Sequence, residues 1–220
     1  MRRMEPKQAR ERMVSMLLSS GHIHDQRVAD AMRTVPRHLF LPDSLREQAY
    51  FDTPLHIGEG QTISAPHMVA IMVEALDLRP GHKVLEVGSG SGYHAAVMAE
   101  LVRPGGKVFT IERLHPLVEM ARSNLERAGY SSDVEVVEGD GTNGLPEHAP
   151  YDRISVAAAA PHIPEPLKEQ LADDGRMLVP VGGSWYQDCT LVTRKKGKFH
   201  TEDLGGCVFV PLIGEHGYKA

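Results

Sequence analysis

The chain has 220 residues, 41% hydrophobic and 24% charged, so it is long enough to bury a real core as one large domain or two small ones. Its formal net charge of −5 argues against a sequence-independent nucleic-acid binder, which needs a basic face. No apolar run reaches the roughly 18 residues that span a bilayer. The two cysteines, Cys189 and Cys207, have no CxxC spacing and no clustered histidine partners, which speaks against a disulfide framework or structural zinc and points to a reducing cytoplasm.

In chain order, "RRMEPKQARER" is basic but interrupted by Glu5 and Glu11, and reads as solvated surface. Met13, Met16 and Leu17 share one helical face. "MVSMLL" is too short for a secretion signal, and no small-residue cleavage site follows it. Asp25 is placed to cap a helix carrying Val28, Ala31 and Met32, ending before Pro36. "PRHLFLP" and "YFDTPLHIGEGQT" are broken by prolines and glycines into loops or short strands. Pro66 then opens a helix whose buried side is Met68, Val69, Met72, Val73 and Leu76.

From Lys83 the pattern alternates. "KVLEV" precedes a helix from Tyr93 to Val102; "KVFTIE" precedes one from Pro116 to about Ala128; "VEVVEGD" and "YDRISVAAA" precede one from Pro166 to Leu171. Val- and Ile-rich strands separated by amphipathic helices predict an α/β fold, a doubly wound, mostly parallel sheet with helices on both faces. "RMLVPV", "CTLVTR" and "CVFVPL" have no helix between them, and "GGSWYQD" joins the first two. They predict antiparallel strands added at one sheet edge. "RKKGK" reads as a solvated strand end. The twelve histidines are scattered, without an HExxH-type pair, and suggest no metal site.

Ligands of open parallel sheets bind beyond the carboxyl ends of the strands. There the first strand delivers Glu86 and then "GSGSG", with Gly88, Ser89, Gly90 and Gly92. Tyr93 occupies the place of the last glycine of a dinucleotide fingerprint, and no Lys-Ser/Thr pair makes a P-loop. The GxGxG spacing instead suits S-adenosyl-L-methionine, although such a turn can also be purely structural. Glu112 ends the second strand, where a carboxylate can accept from ribose hydroxyls or simply cap the next helix. Asp140 ends the third, beside Gly141, as an adenine-amino partner or an ordinary Asp-Gly turn. Together the three strand ends favour a methyltransferase cofactor site.

With "PRHLFLP", "GQTISAPHMVAIM", "VLEVGSGSGY", "IER", "GDG", "YDRI", "IPEPLKEQL" and "FVPLIGEHG", the sequence resembles the protein-L-isoaspartate (D-aspartate) O-methyltransferase family over nearly the whole chain. "GQTISAPHM" discriminates, because many methyltransferases share the glycines but not this loop. The resemblance implies one domain over 1–220, with an N-terminal helical and substrate-loop segment at 1–80, a cofactor-binding core at 81–174 and C-terminal strands at 175–220. It implies Ser64 as the catalytic residue, and Thr62, Ile63, Ser64 and His67 as substrate-binding residues. Glu86, Gly88, Ser89, Gly90, Gly92, Glu112, Arg113, Asp140 and Gly141 are then the cofactor set, with S-adenosyl-L-homocysteine as product and no metal. Ile213 departs from relatives that carry a hydroxyl there, so no polar C-terminal contact is carried over. Ser64 has a second reading as the N-cap of the helix at Pro66.

The implied reaction methylates the free α-carboxylate of L-isoaspartyl and D-aspartyl residues in damaged proteins, and the ester then closes to a succinimide without the enzyme. The expected protein is a cytoplasmic monomer acting on damaged proteins and peptides, with no nucleic-acid or membrane partner. Methylation of RNA or a small molecule, a non-catalytic cofactor-binding module and an NAD oxidoreductase are the competing readings.

Overall fold

The computed structural model describes residues 4–183 and 185–219. Met1–Arg3 of the basic opening stretch, Ser184 of "GGSWYQD" and Ala220 lie outside the described residues. Helix α1, Pro6–Ser19, buries Met13, Val14 and Leu17, while Met16 stays 43% exposed. The expected face is thus rotated. At 100° per residue Val14 and Met16 flank the Met13–Leu17 line on opposite sides, and the core lies on the Val14 side. Helix α2, Gln26–Thr34, starts where expected, with the Asp25 carboxylate accepting the Arg27 N–H at 2.8 Å. Pro36 disfavours helical backbone at Val35, which is extended.

"PRHLFLP" folds as a 3-10 turn, Arg37–Phe40, and a second follows at Asp43–Gln48. Strands β1, Leu55–Gly58, and β2, Gln61–Ile63, form a small antiparallel hairpin. Its turn residues Glu59 and Gly60 both have positive φ, as a tight hairpin turn requires. Helix α3, Pro66–Leu76, follows at once. Its N-cap position is Ala65, with no side-chain cap, and Pro66 supplies the preset φ of the first turn. The N-cap reading of Ser64 is therefore overturned: the residue stands one position too early.

The alternating region builds β3, Lys83–Val87; α4, Tyr93–Val102; β4, Lys107–Glu112; α5, His115–Ala128; β5, Val134–Glu138; β6, Tyr151–Val156; and α6, Glu165–Glu169. It ends in β7, Leu171–Gly182; β8, Gln187–Lys195; and β9, Lys198–Cys207. The seven strands run in the order β5-β4-β3-β6-β7-β8-β9. The first five are parallel, and β7–β8 and β8–β9 are antiparallel. Apolar clusters lie on both faces. One joins α1–α4 to the sheet, and the other gathers Leu85, Ile111, Ile154 and Leu167 opposite. Each such fully buried aliphatic side chain contributes about 1.5–3 kcal/mol.

Two expected boundaries move. Leu171 does not close α6 but opens β7, fully buried and paired with Tyr151. β7 therefore runs across position 174/175, where the C-terminal segment was expected to begin. "CVFVPL" is not a strand: β9 is the exposed run Lys198–Cys207, and residues 208–212 form a loop fixed by an isolated bridge, Ala159 to Pro211. β9 is an edge with solvent on both faces, so it carries no apolar alternation to read. The apolar loop after it faces the site instead.

Candidate active site

The strand order reverses between β3 and β6, which makes a crevice beyond their carboxyl ends. A cleft partly open to solvent lies there, at the place where open α/β sheets bind their ligands. Its walls are Gln61–Ser64 from the β2 end, Gly88–Ser91 after β3, Glu112–Leu114 after β4, Ala157–Ala158 after β6 and the loop Val210–Ile213. Tyr93, His94 and Gly141 complete the lining beside apolar Val69, Val87 and Ile111.

The glycine loop turns tightly toward β4. Gly88 has φ +95°, and its N–H donates to Ile111 O at 2.8 Å. Gly90 N–H donates to Glu112 Oε2 at 3.1 Å. Glu112 Oε1 accepts the N–H groups of Arg113 and Leu114 at 2.9 and 3.1 Å. The Glu112 residue is only 7% exposed, and a carboxylate offers about four acceptor sites. With three in use, Oε2 retains capacity for a hydroxyl donor from the cleft. At Gly141 a Cβ would stand 2.5 Å from Val87 Cγ1, so only glycine lets this backbone pack on the end of β3.

Among the expected cofactor residues, Gly88, Ser89, Gly90, Glu112, Arg113 and Gly141 meet in the cleft. Glu86, Gly92 and Asp140 are not part of its lining. Glu86 is fully buried behind the loop: Thr110 Oγ1 donates to its Oε2 at 2.5 Å and is itself 2.7 Å from Ser89 Oγ. Its Oε1 is 3.1 Å from His94 Nδ1, within ion-pair reach but without hydrogen-bond alignment. Gly92 faces α5, where a Cβ would come within 3.1 Å of Leu125 Cγ.

Asp140 clasps the C-terminus. Its Oδ1 accepts from Thr142 N–H and Oγ1 at 2.9 and 2.7 Å, and Oδ2 from Glu215 N–H at 2.7 Å. Partial burial disfavours its charge, but the Glu215 and Thr142 donors outweigh this and hold the carboxyl below its ordinary range.

Of the expected substrate residues, Thr62, Ile63 and Ser64 line the cleft, whereas His67 does not. His67 is held by Asp52 Oδ1, which its backbone N–H and Nδ1 both approach at 2.9 Å. Several cleft residues had no role in the sequence reading: Gln61, Tyr93, His94, Leu114 and the loop Val210–Leu212. In sequence Tyr93 marks only the start of α4 and the absence of a third fingerprint glycine. Burial pushes its phenol up to about 12 despite the nearby Arg37 cation, so it stays neutral. The Val210–Leu212 signal was present as apolar sequence but was spent on a strand.

A mostly parallel sheet, a GxGxG turn without phosphate-binding groups, and a buried carboxylate ending β4 define an S-adenosyl-L-methionine-dependent methyltransferase. The residues fit that cofactor, since backbone is free to approach at Gly88 and Gly90 and Glu112 keeps an unused acceptor. Within this class the chain belongs to the protein-L-isoaspartate(D-aspartate) O-methyltransferase family, whose sequence model matches residues 8–217. It is 58% identical over 214 residues to the protein-L-isoaspartate O-methyltransferase of Methanopyrus kandleri, covering 97% of this chain and 95% of that one. It is 62% identical over 194 residues to that of Methanothrix thermoacetophila, covering 88% and 91%. A Plasmodium falciparum structure described as such a methyltransferase, in complex with S-adenosyl-L-homocysteine, superposes with a TM-score of 0.84 at 29% identity, covering 93% of this chain and 98% of that one.

Proposed function

We propose that this chain methylates the free α-carboxylate of L-isoaspartyl and D-aspartyl residues in damaged proteins, a cytoplasmic repair reaction performed by a monomer. The observation that carries it is the meeting of Thr62–Ser64 and the glycine loop in the lining of one cleft. The family-discriminating loop thereby shares a cleft with the family's cofactor turn.

S-adenosyl-L-methionine supplies an electrophilic methyl when bound. Glu112 takes ribose hydroxyls, the Gly88–Gly90 backbone admits the methionyl portion, and Gly141 admits the adenine, with Asp140 holding the loop that presents it. Arg113 borders this site. An α-carboxyl has a pKa of about 3.3–3.7, so it is ionised at neutral pH and needs no general base. The chain's task is orientation, which can supply roughly 7–11 kcal/mol of rate enhancement. The Ser64 hydroxyl donates to one carboxylate oxygen and leaves the other free to attack. Thr62 and Ile63 flank the bound residue, while His67, tied to Asp52 outside the cleft, anchors the start of α3 behind them.

The test is transfer of labelled methyl from S-adenosyl-L-methionine to two peptides that differ only in isoaspartate or aspartate at one position, with RNA as a third acceptor. Labelling of the isoaspartyl peptide is expected. Transfer to RNA alone would overturn the reading.

A further inference from the structure

The motif "PRHLFLP" has no role in the site so far, yet its arginine is the largest fully buried side chain of the chain's described residues. Arg37 is 0% exposed, on a 3-10 turn outside the cleft. Its Nε donates to Ala49 O at 2.8 Å, and its Nη2 donates to Ser64 O at 2.8 Å. Its Cζ lies 4.8 Å from the centroid of the Tyr93 ring, which Phe40 of the same turn meets edge-on at 5.6 Å. The Nη1 group finds no hydrogen-bond partner among the described residues.

One planar cation therefore touches three segments: the loop after residue 48, the substrate wall at Ser64, and the first residue of α4 directly after the glycine loop. Burying an arginine without full pairing is unfavourable, so a plain core would sooner carry an apolar residue there. Its geometry gives it a task. The fork fixes the height of the Ser64 backbone, while the stacked ring fixes the guanidinium relative to the cofactor turn.

We propose that Arg37 is a positioning residue for methyl transfer, setting Ser64 at its working distance from the cofactor loop by bridging the Ser64 carbonyl and the Tyr93 ring. This rests on the reading of Ser64 as the residue that orients the substrate carboxylate.

Arg37→Lys keeps the charge, but an ammonium on a flexible stem cannot hold two carbonyls in a planar fork and stack at once. A displacement of about 1 Å at a reacting centre lowers rate roughly a hundredfold. Arg37→Lys should therefore lower kcat by about tenfold or more, with the S-adenosyl-L-homocysteine Kd within about threefold of wild type, because the carboxylate and glycines that bind it are untouched.

The deciding readout is the same change made in a Ser64→Ala background. If Arg37 acts through Ser64, the second loss shrinks to less than about threefold. An equal loss in both backgrounds overturns the proposal and leaves Arg37 as core. Wild-type turnover in Ser64→Ala alone is a different result, overturning the reading of Ser64 on which the proposal rests.

A second measurement needs no variant. In nitrogen-15 spectra of the wild-type protein bound to S-adenosyl-L-homocysteine, the two Nη groups of Arg37 should give separate signals, because Nη2 is held by Ser64 O and cannot exchange with Nη1. A single averaged signal overturns the clamp even if Arg37→Lys does not fold.

Discussion

Glu112 Oε2 receives the Gly90 N–H at 3.1 Å, so the residue ending β4 anchors the loop that ends β3. One carboxylate thus shapes the glycine turn and retains an acceptor, which on the proposed function takes a cofactor ribose hydroxyl. Glu112→Gln removes the charge and replaces one acceptor oxygen with a donor, which faces either Gly90 N–H or the N–H pair of Arg113 and Leu114. Charge-assisted hydrogen bonds contribute about 1.5–3 kcal/mol each. S-adenosyl-L-homocysteine affinity should drop at least about tenfold, and titration calorimetry checks it. Unchanged affinity would remove Glu112 from the site.

Ser64 gives a sharper test now that Ala65 occupies the N-cap position of α3. Losing a true cap would lower stability by about 1 kcal/mol; a residue outside that position should stay within about 0.5 kcal/mol. Ser64→Ala should accordingly keep its melting temperature and its cofactor affinity while kcat falls about tenfold or more. Calorimetric melting and initial rates on one preparation separate the roles. A lowered melting temperature with normal turnover would restore a structural role for the serine.

The alternating core was legible because parallel strands buried on both faces must be written in Val and Ile, and glycines at their ends mark the turns. That Glu112 and Gly141 stand at strand ends bordering the cleft followed from position alone. Side-chain direction at those ends was not legible. Glu86 and Asp140 both lie near strand ends in sequence, yet Thr110 holds Glu86 inward, and Thr142 and Glu215 capture Asp140. These partners lie up to 75 residues away, beyond any local pattern. β9 was missed for the converse reason: its pairing with β8 is backbone hydrogen bonding, which leaves no apolar signature on a doubly exposed strand.

Asp140 makes the C-terminal clasp pH-dependent. Its folded carboxyl lies below the ordinary value, so the clasp stabilises the fold fully above the unfolded pKa of about 3.9 and loses that contribution as pH falls through the lower folded value. The stability difference between wild type and Asp140→Asn should therefore be constant from about pH 5 to 8 and shrink below about pH 4. Urea melts across that range measure it, and a difference growing toward low pH would contradict the clasp. The wild-type chain should also show faster amide exchange at Glu215 once the carboxyl is protonated.

The substrate prediction follows from the cleft's fixed walls. In an isoaspartyl residue the chain runs through the side-chain carbonyl, and the free α-carboxylate is attached directly to Cα. In normal aspartate the free carboxylate stands one methylene farther out, a displacement on the order of 1.5 Å. Ser64 is tied through its carbonyl to buried Arg37, and the glycine loop of the same cleft is tied to Glu112, so neither segment can follow such a shift at little cost. A misplacement of about 1 Å lowers rate roughly a hundredfold. The isoaspartyl peptide should thus be methylated with a kcat/KM at least about a hundredfold above its aspartyl twin. Because the nucleophile is already ionised, kcat/KM should be flat above about pH 6, without a limb assignable to a general base. A rise in rate with a midpoint near pH 7 that survives Ser64→Ala would point to a base on the enzyme and to a different mechanism.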